Sequence, residues 1–143
     1  MKELNTIFYF DIDDYEFAIR QIEDMDYKIY YINGERISTI DELFVCIKDR
    51  LPLDPPLSGN VNFDAFVDSL WGGLDNQDYE KIVIFWQYPN ELMKQDKKRF
   101  EKLIQCINEV AKELLLEQYG VDNPIILKTF LFGKGAMFSK FCI

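Results

Sequence analysis

The sequence predicts an α/β protein, with a mostly parallel three- to four-stranded sheet packed with helices and an N-terminal β-α extension. Three observations carry that expectation. Residues 81–86, KIVIFW, are almost unbroken in apolar character, as a strand covered on both faces must be. The strand-like runs alternate with segments whose apolar residues recur at helical spacing, which argues for parallel pairing through crossovers. With 143 residues, 48% of them apolar, the chain can bury a core without staples, and a single domain accounts for its length.

Taken in order, residues 7–10 form a short apolar run, read as a strand, followed by an acidic DIDD turn. Tyr15, Ala18, Ile19 and Ile22 then keep helical spacing as far as about Glu23. Residues 28–32, KIYYI, are rich in strand formers and close on Asn33-Gly34, a turn signal. Thr39 and Glu42 make a capping box that opens a second helix. Ile40, Leu43, Phe44 and Ile47 line its apolar stripe, and Leu51-Pro52 stops it.

Residues 51–60, LPLDPPLSGN, hold three of the five prolines and read as a rigid loop. It delivers the chain into the stretch 59–74, where Asn62 is the N-cap and Phe63, Phe66, Val67 and Leu70 form one apolar stripe. Gly72-Gly73 is expected to end that helix. After the 81–86 strand, residues 87–93 read as a loop around Pro89-Asn90. Asp96 is the expected N-cap of a long helix reaching about Gln118. Its core stripe is Phe100, Leu103, Ile104, Ile107, Val110, Ala111 and Leu114, with Tyr119-Gly120 as C-cap. Residues 124–132 supply the last strand, and residues 133–143 are expected to dock as an edge strand or strap.

The helix of residues 62–70 carries a second stripe. Asp64, Asp68 and Trp71 lie at i, i+4 and i+7, so two carboxylates and an indole are expected on its outer face. Like charges at that spacing destabilise a helix by roughly 0.2–0.5 kcal/mol. An anion near a helix C-terminus adds to the cost, and Asp68 lies towards that end. No Lys or Arg occurs between Leu51 and Glu80, so nothing close in sequence relieves the pair. Two readings follow: a solvated acidic face, or an anionic surface kept for a cationic partner, with Trp71 either folded over the core edge or serving as an aromatic anchor.

Charge excludes several classes. The formal net charge is −9, so binding to nucleic acid or to an anionic membrane is not expected. There is no histidine, which removes the usual general base and zinc ligand, and no enzymatic activity is expected. The Gly72-Gly73 and Gly133-x-Gly135 pairs do not open a helix after a strand, so no phosphate cradle is present. Two aspartates on one helix are too few to cage a metal ion, and no metal or cofactor is expected. Cys46 and Cys106 sit among apolar neighbours and read as free buried thiols. With Cys142 they make an odd count without CxxC spacing, which suits a reducing compartment. Neither a signal-peptide h-region nor a membrane-length apolar run is visible, so a cytoplasmic location is expected.

Several runs resemble the barstar family, intracellular inhibitors of secreted ribonucleases. They are YYINGERISTIDELFVCIKDRLPL at residues 30–53, NFDAFVDSL at 62–70, IVIFWQ at 82–87 and IQCINEVAKE at 104–113. The resemblance implies a core at about residues 28–132, an N-terminal extension at 1–27 and a tail at 133–143. It further implies an immunity protein, or antitoxin, that blocks the basic active site of a nuclease toxin, a ribonuclease in the family's own case. By the same resemblance Asp68 enters the nuclease site, Asp64 is the second acidic contact, and Glu109 adds a peripheral one. Gly59, Asn62, Val67 and Trp71 complete the expected partner-binding set.

The sequence also departs from the family pattern. Leu57-Ser58 stand where the family has paired tyrosines, and the loop of residues 59–62 carries one extra residue. Val67 replaces the interface tryptophan, Trp71 appears one turn later, and Ser69 replaces the helix cysteine. The expected partner is therefore a related but distinct toxin, such as the C-terminal nuclease domain of a secreted or contact-delivered protein. The alternative is an acidic regulatory module with a barstar-like fold and a partner that is no nuclease.

Overall fold

The computed structural model describes residues 5–59, 61–116 and 124–142. Its centre is a four-stranded parallel sheet in the order β1-β4-β3-β2, made by β1 (Ile7–Asp11), β2 (Lys28–Asn33), β3 (Lys81–Gln87) and β4 (Ile126–Gly133). The helices are α1 (Tyr15–Glu23), α2 (Ile40–Ile47), α3 (Phe63–Asp75), α4 (Asn90–Gln95) and α5 (Lys97–Leu114). β3 is buried along its length except at its two end residues, the consequence of its unbroken apolar run.

Connection handedness decides which helix covers which face. From β2 to β3 to β4 the chain steps one strand at a time in one direction. From β1 to β2 it crosses the whole sheet in the other direction. Right-handed crossovers then place α1 on the opposite face from α2, α3 and α5. The two buried clusters follow this division. Ile82, Ile84, Trp86, Leu127 and Leu131 pack with Leu43, Phe66, Leu70, Leu103 and Ile107 on one side. Val83, Phe85, Phe130 and Phe132 pack with Phe10, Ala18, Ile22 and Phe141 on the other.

The extension therefore completes the sheet: β1 pairs with β4 from Ile7–Thr129 to Asp11–Gly133. The tail closes over its outer edge as a strap with a single bridge, Phe10 to Ser139. The Asp11 N–H donates to the Ser139 carbonyl at 2.8 Å, and the Phe141 N–H donates to the Asp14 carboxylate at 2.9 Å. Lys134 pairs with Asp11 at 3.0 Å and Asp13 at 2.6 Å. The Asp13 N–H on its carboxylate, then the Lys134 ammonium, hold the Asp11 carboxyl below its ordinary value.

Two elements differ from expectation. Gly72-Gly73 does not end α3, which runs on to Asp75 with Asn76 as C-cap. The glycines serve close approach instead, because a Cβ on Gly73 would overlap the Pro52 carbonyl oxygen and one on Gly72 that of Asp54. Gly73→Ala is expected to lower stability by about 1–3 kcal/mol in urea unfolding, since backbone has to move to admit the methyl group. Asn90–Gln95 is the short helix α4 and not a loop, its Met93 N–H returning to the Pro89 carbonyl at 3.0 Å.

Asp96 stands at the N-cap of α5 but makes no side-chain cap there. Its carboxylate accepts the Ile40 N–H at 2.9 Å, so it satisfies an open donor at the start of α2. Thr39 caps α2 as expected, accepting the Glu42 N–H at 3.2 Å. α5 closes at Leu114 with Leu115 as its C-cap, and the expected Tyr119-Gly120 cap lies outside the described residues.

Candidate protein-binding site

α3 is pinned from behind. Phe66 and Leu70 are buried in the core, with Phe66 5.5 Å from the Phe44 ring. Asn62 accepts the Ala65 N–H at 2.7 Å and so fixes the first turn. The buried Ser69 hydroxyl donates to the Pro55 carbonyl at 2.5 Å, while the Ser69 carbonyl accepts the Asp54 N–H at 2.9 Å. The Asn76 amide donates to the Asp54 carboxylate at 2.6 Å. The proline-rich loop is thus a brace along the back of the helix, seated where the two glycines leave room.

The front of α3 meets α5 in an open groove of about 420 Å³. Phe63, Asp64, Val67 and Asp68 form one wall, and Lys102, Gln105, Cys106 and Glu109 form the other. Both aspartates and Glu109 are exposed. Three carboxylates from two helices therefore converge on one recess, and among the described residues that line it Lys102 is the one cation. The Lys102 ammonium sits over the Phe63 ring at 5.3 Å from its centroid. Cys106 lies at the base, 8% exposed, and burial first, then the Glu109 charge, push its thiol above its ordinary value. Cys106 is a buried free thiol as expected, whereas Cys46 is only half-buried.

The structure brings Asp64, Val67, Asp68 and Glu109 together and leaves the other expected residues apart. Asn62 is spent on the helix cap. Gly59, at φ +61, lines a separate recess of about 250 Å³ with Asp41, Phe44, Val45, Lys48 and Val61. Trp71 is half-buried against the core and outside the groove lining. Its indole N–H is shielded from solvent and makes no hydrogen bond, so the outward-facing indole expected from the helical stripe is not what forms.

Lys102, Gln105 and Cys106 are not in the partner-binding set expected from the sequence, where Cys106 reads only as a buried thiol. The signal was present: with Glu109 they occupy i, i+3, i+4 and i+7 on α5, beside its core stripe. Among the described residues no cluster of three or more His, Cys, Asp or Glu is placed to hold a metal ion, and no helix is long and apolar enough to cross a membrane.

A family model described as Barstar (barnase inhibitor) matches residues 27–128. The chain belongs to the barstar family. No curated protein matches the sequence. The barstar match takes in α3, α5 and the whole groove between them. It also takes in β2, β3 and the first three residues of β4, whereas β1, α1 and the strap lie outside it.

Proposed function

We propose that this barstar-family chain is an immunity protein that blocks the basic active site of a nuclease toxin, a ribonuclease in the first instance. The observation that carries the reading is the convergence of Asp64, Asp68 and Glu109 on one exposed groove. Carboxylates spaced along a rigid helix present anionic oxygens where a nuclease expects phosphates, and the brace behind α3 means little ordering remains to be done on binding. Inhibition then requires no chemistry from this chain; occupying the site suffices. The protein acts in the cytoplasm, where such a toxin would otherwise reach nucleic acid. Val67 in the groove and the shielded Trp71 indole N–H favour a partner whose aromatic contact differs in shape from the family's own.

A pull-down from the native cell tests this, with wild type and an Asp64→Ala/Asp68→Ala double variant side by side. Wild type is expected to retain a basic nuclease domain that the variant loses. Retention of one and the same protein by both would assign binding to another face, and capture of a partner that is no nuclease would favour the regulatory-module reading.

A further inference from the structure

The layer opposite the α3–α5 groove carries its own exposed feature, built by α1 and β2. β2 ends the sheet, and its outer edge pairs with no strand among the described residues. Tyr31 on that strand is 41% exposed and stands edge-on to Phe85 at 6.2 Å. Tyr15, at the start of α1, lies 5.9 Å from the same ring. Tyr88, just beyond β3, is 40% exposed and adopts φ +54, a conformation that is uncommon for a bulky side chain. Its N–H donates to the Phe132 carbonyl at 2.8 Å, which holds the residue in place at the carboxyl ends of the strands. Backbone held in such a conformation clusters at functional positions, and ligands of open parallel sheets gather outside the carboxyl strand ends.

These three tyrosines form one electrostatic group with two acids. Burial pushes the Tyr15 hydroxyl up to about 12, with Tyr31, Glu16 and Tyr88 adding to it in that order. Tyr31 is raised by burial, then by Glu23 and Glu16. Glu16 and Glu23, the two carboxylates that raise this pair of rings, are both exposed.

We propose that α1 and the open edge of β2 form a second protein-docking surface, which takes an extended lysine- or arginine-bearing segment of a partner. Main-chain groups of the segment would continue the sheet from β2, while its cations lie over the tyrosine rings beside Glu16 and Glu23. Charge complementarity selects this occupant over a second copy. Two chains of net charge −9 would bring Glu16 and Glu23 of each against the other. The surface lies on the opposite layer from the groove, so it stays open when the groove is filled. Its α1 part falls outside the barstar match, whereas β2, Tyr31 and Tyr88 fall inside it.

Backbone amide NMR of the full chain tests this, using a short peptide of alternating arginine and valine and a matched glutamate–valine peptide. Asp64→Ala/Asp68→Ala serves as background, to remove the groove. The basic peptide is expected to shift the amides of β2 and Tyr88, and the acidic peptide to leave them alone. Tyr31→Ser should weaken the basic peptide roughly tenfold, as loss of an interface anchor does. Glu23→Gln, an exposed change with no bearing on folding, should weaken it less but measurably. Shifts confined to α3 and α5, equal response to both peptides, or indifference to both substitutions would overturn the proposal. Concentration-dependent dimerisation lost in Tyr31→Ser would overturn it in favour of a second copy.

Discussion

Asp68→Ala is expected to leave the melting temperature unchanged within error while weakening the inhibitory complex by about 2–5 kcal/mol. That range has the barnase–barstar pair itself as its type case, so the magnitude is carried over from the family. The direction comes from this chain. Asp68 is exposed, lines the groove and makes no ion pair or hydrogen bond among the described residues, so its removal takes nothing from the fold. Because α3 extends to Asp75, Asp68 lies mid-helix, about two turns from the end, and the dipole cost assigned to it from sequence largely disappears. In the complex, a partner arginine or lysine left facing alanine would be buried without its counter-charge, which is where most of the loss arises. Calorimetric titration of the captured nuclease with wild type and variant checks the affinity, and thermal melts check the fold. An unchanged affinity would remove α3 from the interface.

Phe10→Ala is expected to destabilise the whole chain by about 3–5 kcal/mol, within the range for deleting a buried aromatic ring. Phe10 is 6% exposed and touches four other rings, lying 4.8 Å from Phe141, 5.2 Å from Phe130, 5.8 Å from Phe132 and 6.1 Å from Phe8. It belongs to the extension, yet three of those rings, Phe130, Phe132 and Phe141, belong to β4 and the strap. Without the extension and the strap, Val83 and Phe85 of β3 and Phe130 and Phe132 of β4 would be exposed on one sheet face. Extension, core and tail are therefore expected to unfold as one cooperative unit, with a single urea transition shifted to lower denaturant in the variant. Two separate transitions, with the major one unmoved by Phe10→Ala, would mean that the extension folds apart from the core.

How much of this was legible in the sequence varies with the distance over which the cause acts. Local patterns determined the elements: the KIVIFW run, the Thr39–Glu42 cap, the Asn62 cap and the stripes of α2, α3 and α5 all form where periodicity and capping chemistry place them. They also determined the acidic face of α3, since Asp64 and Asp68 at i, i+4 share a side of any helix. Local rules failed where a neighbour distant in sequence competed. Gly72-Gly73 read as a stop because glycine is a common helix terminator, but the close approach of the Pro52 and Asp54 carbonyls needed them inside one. The Asp96 carboxylate read as the cap of its own helix, but the Ile40 N–H was the donor in greater need.

The sequence by itself determined the α/β class, the parallel order of elements, the barstar resemblance and the carboxylates that point outward, because each depends on spacing along one segment. Only the tertiary structure decided that α5 brings Lys102 and Glu109 to the same groove, that Trp71 turns inward, and that the extension covers the second sheet face with β1 as its edge. Those outcomes depend on which segments meet across the sheet, and connection handedness and packing fix that without leaving a mark in any short stretch of residues.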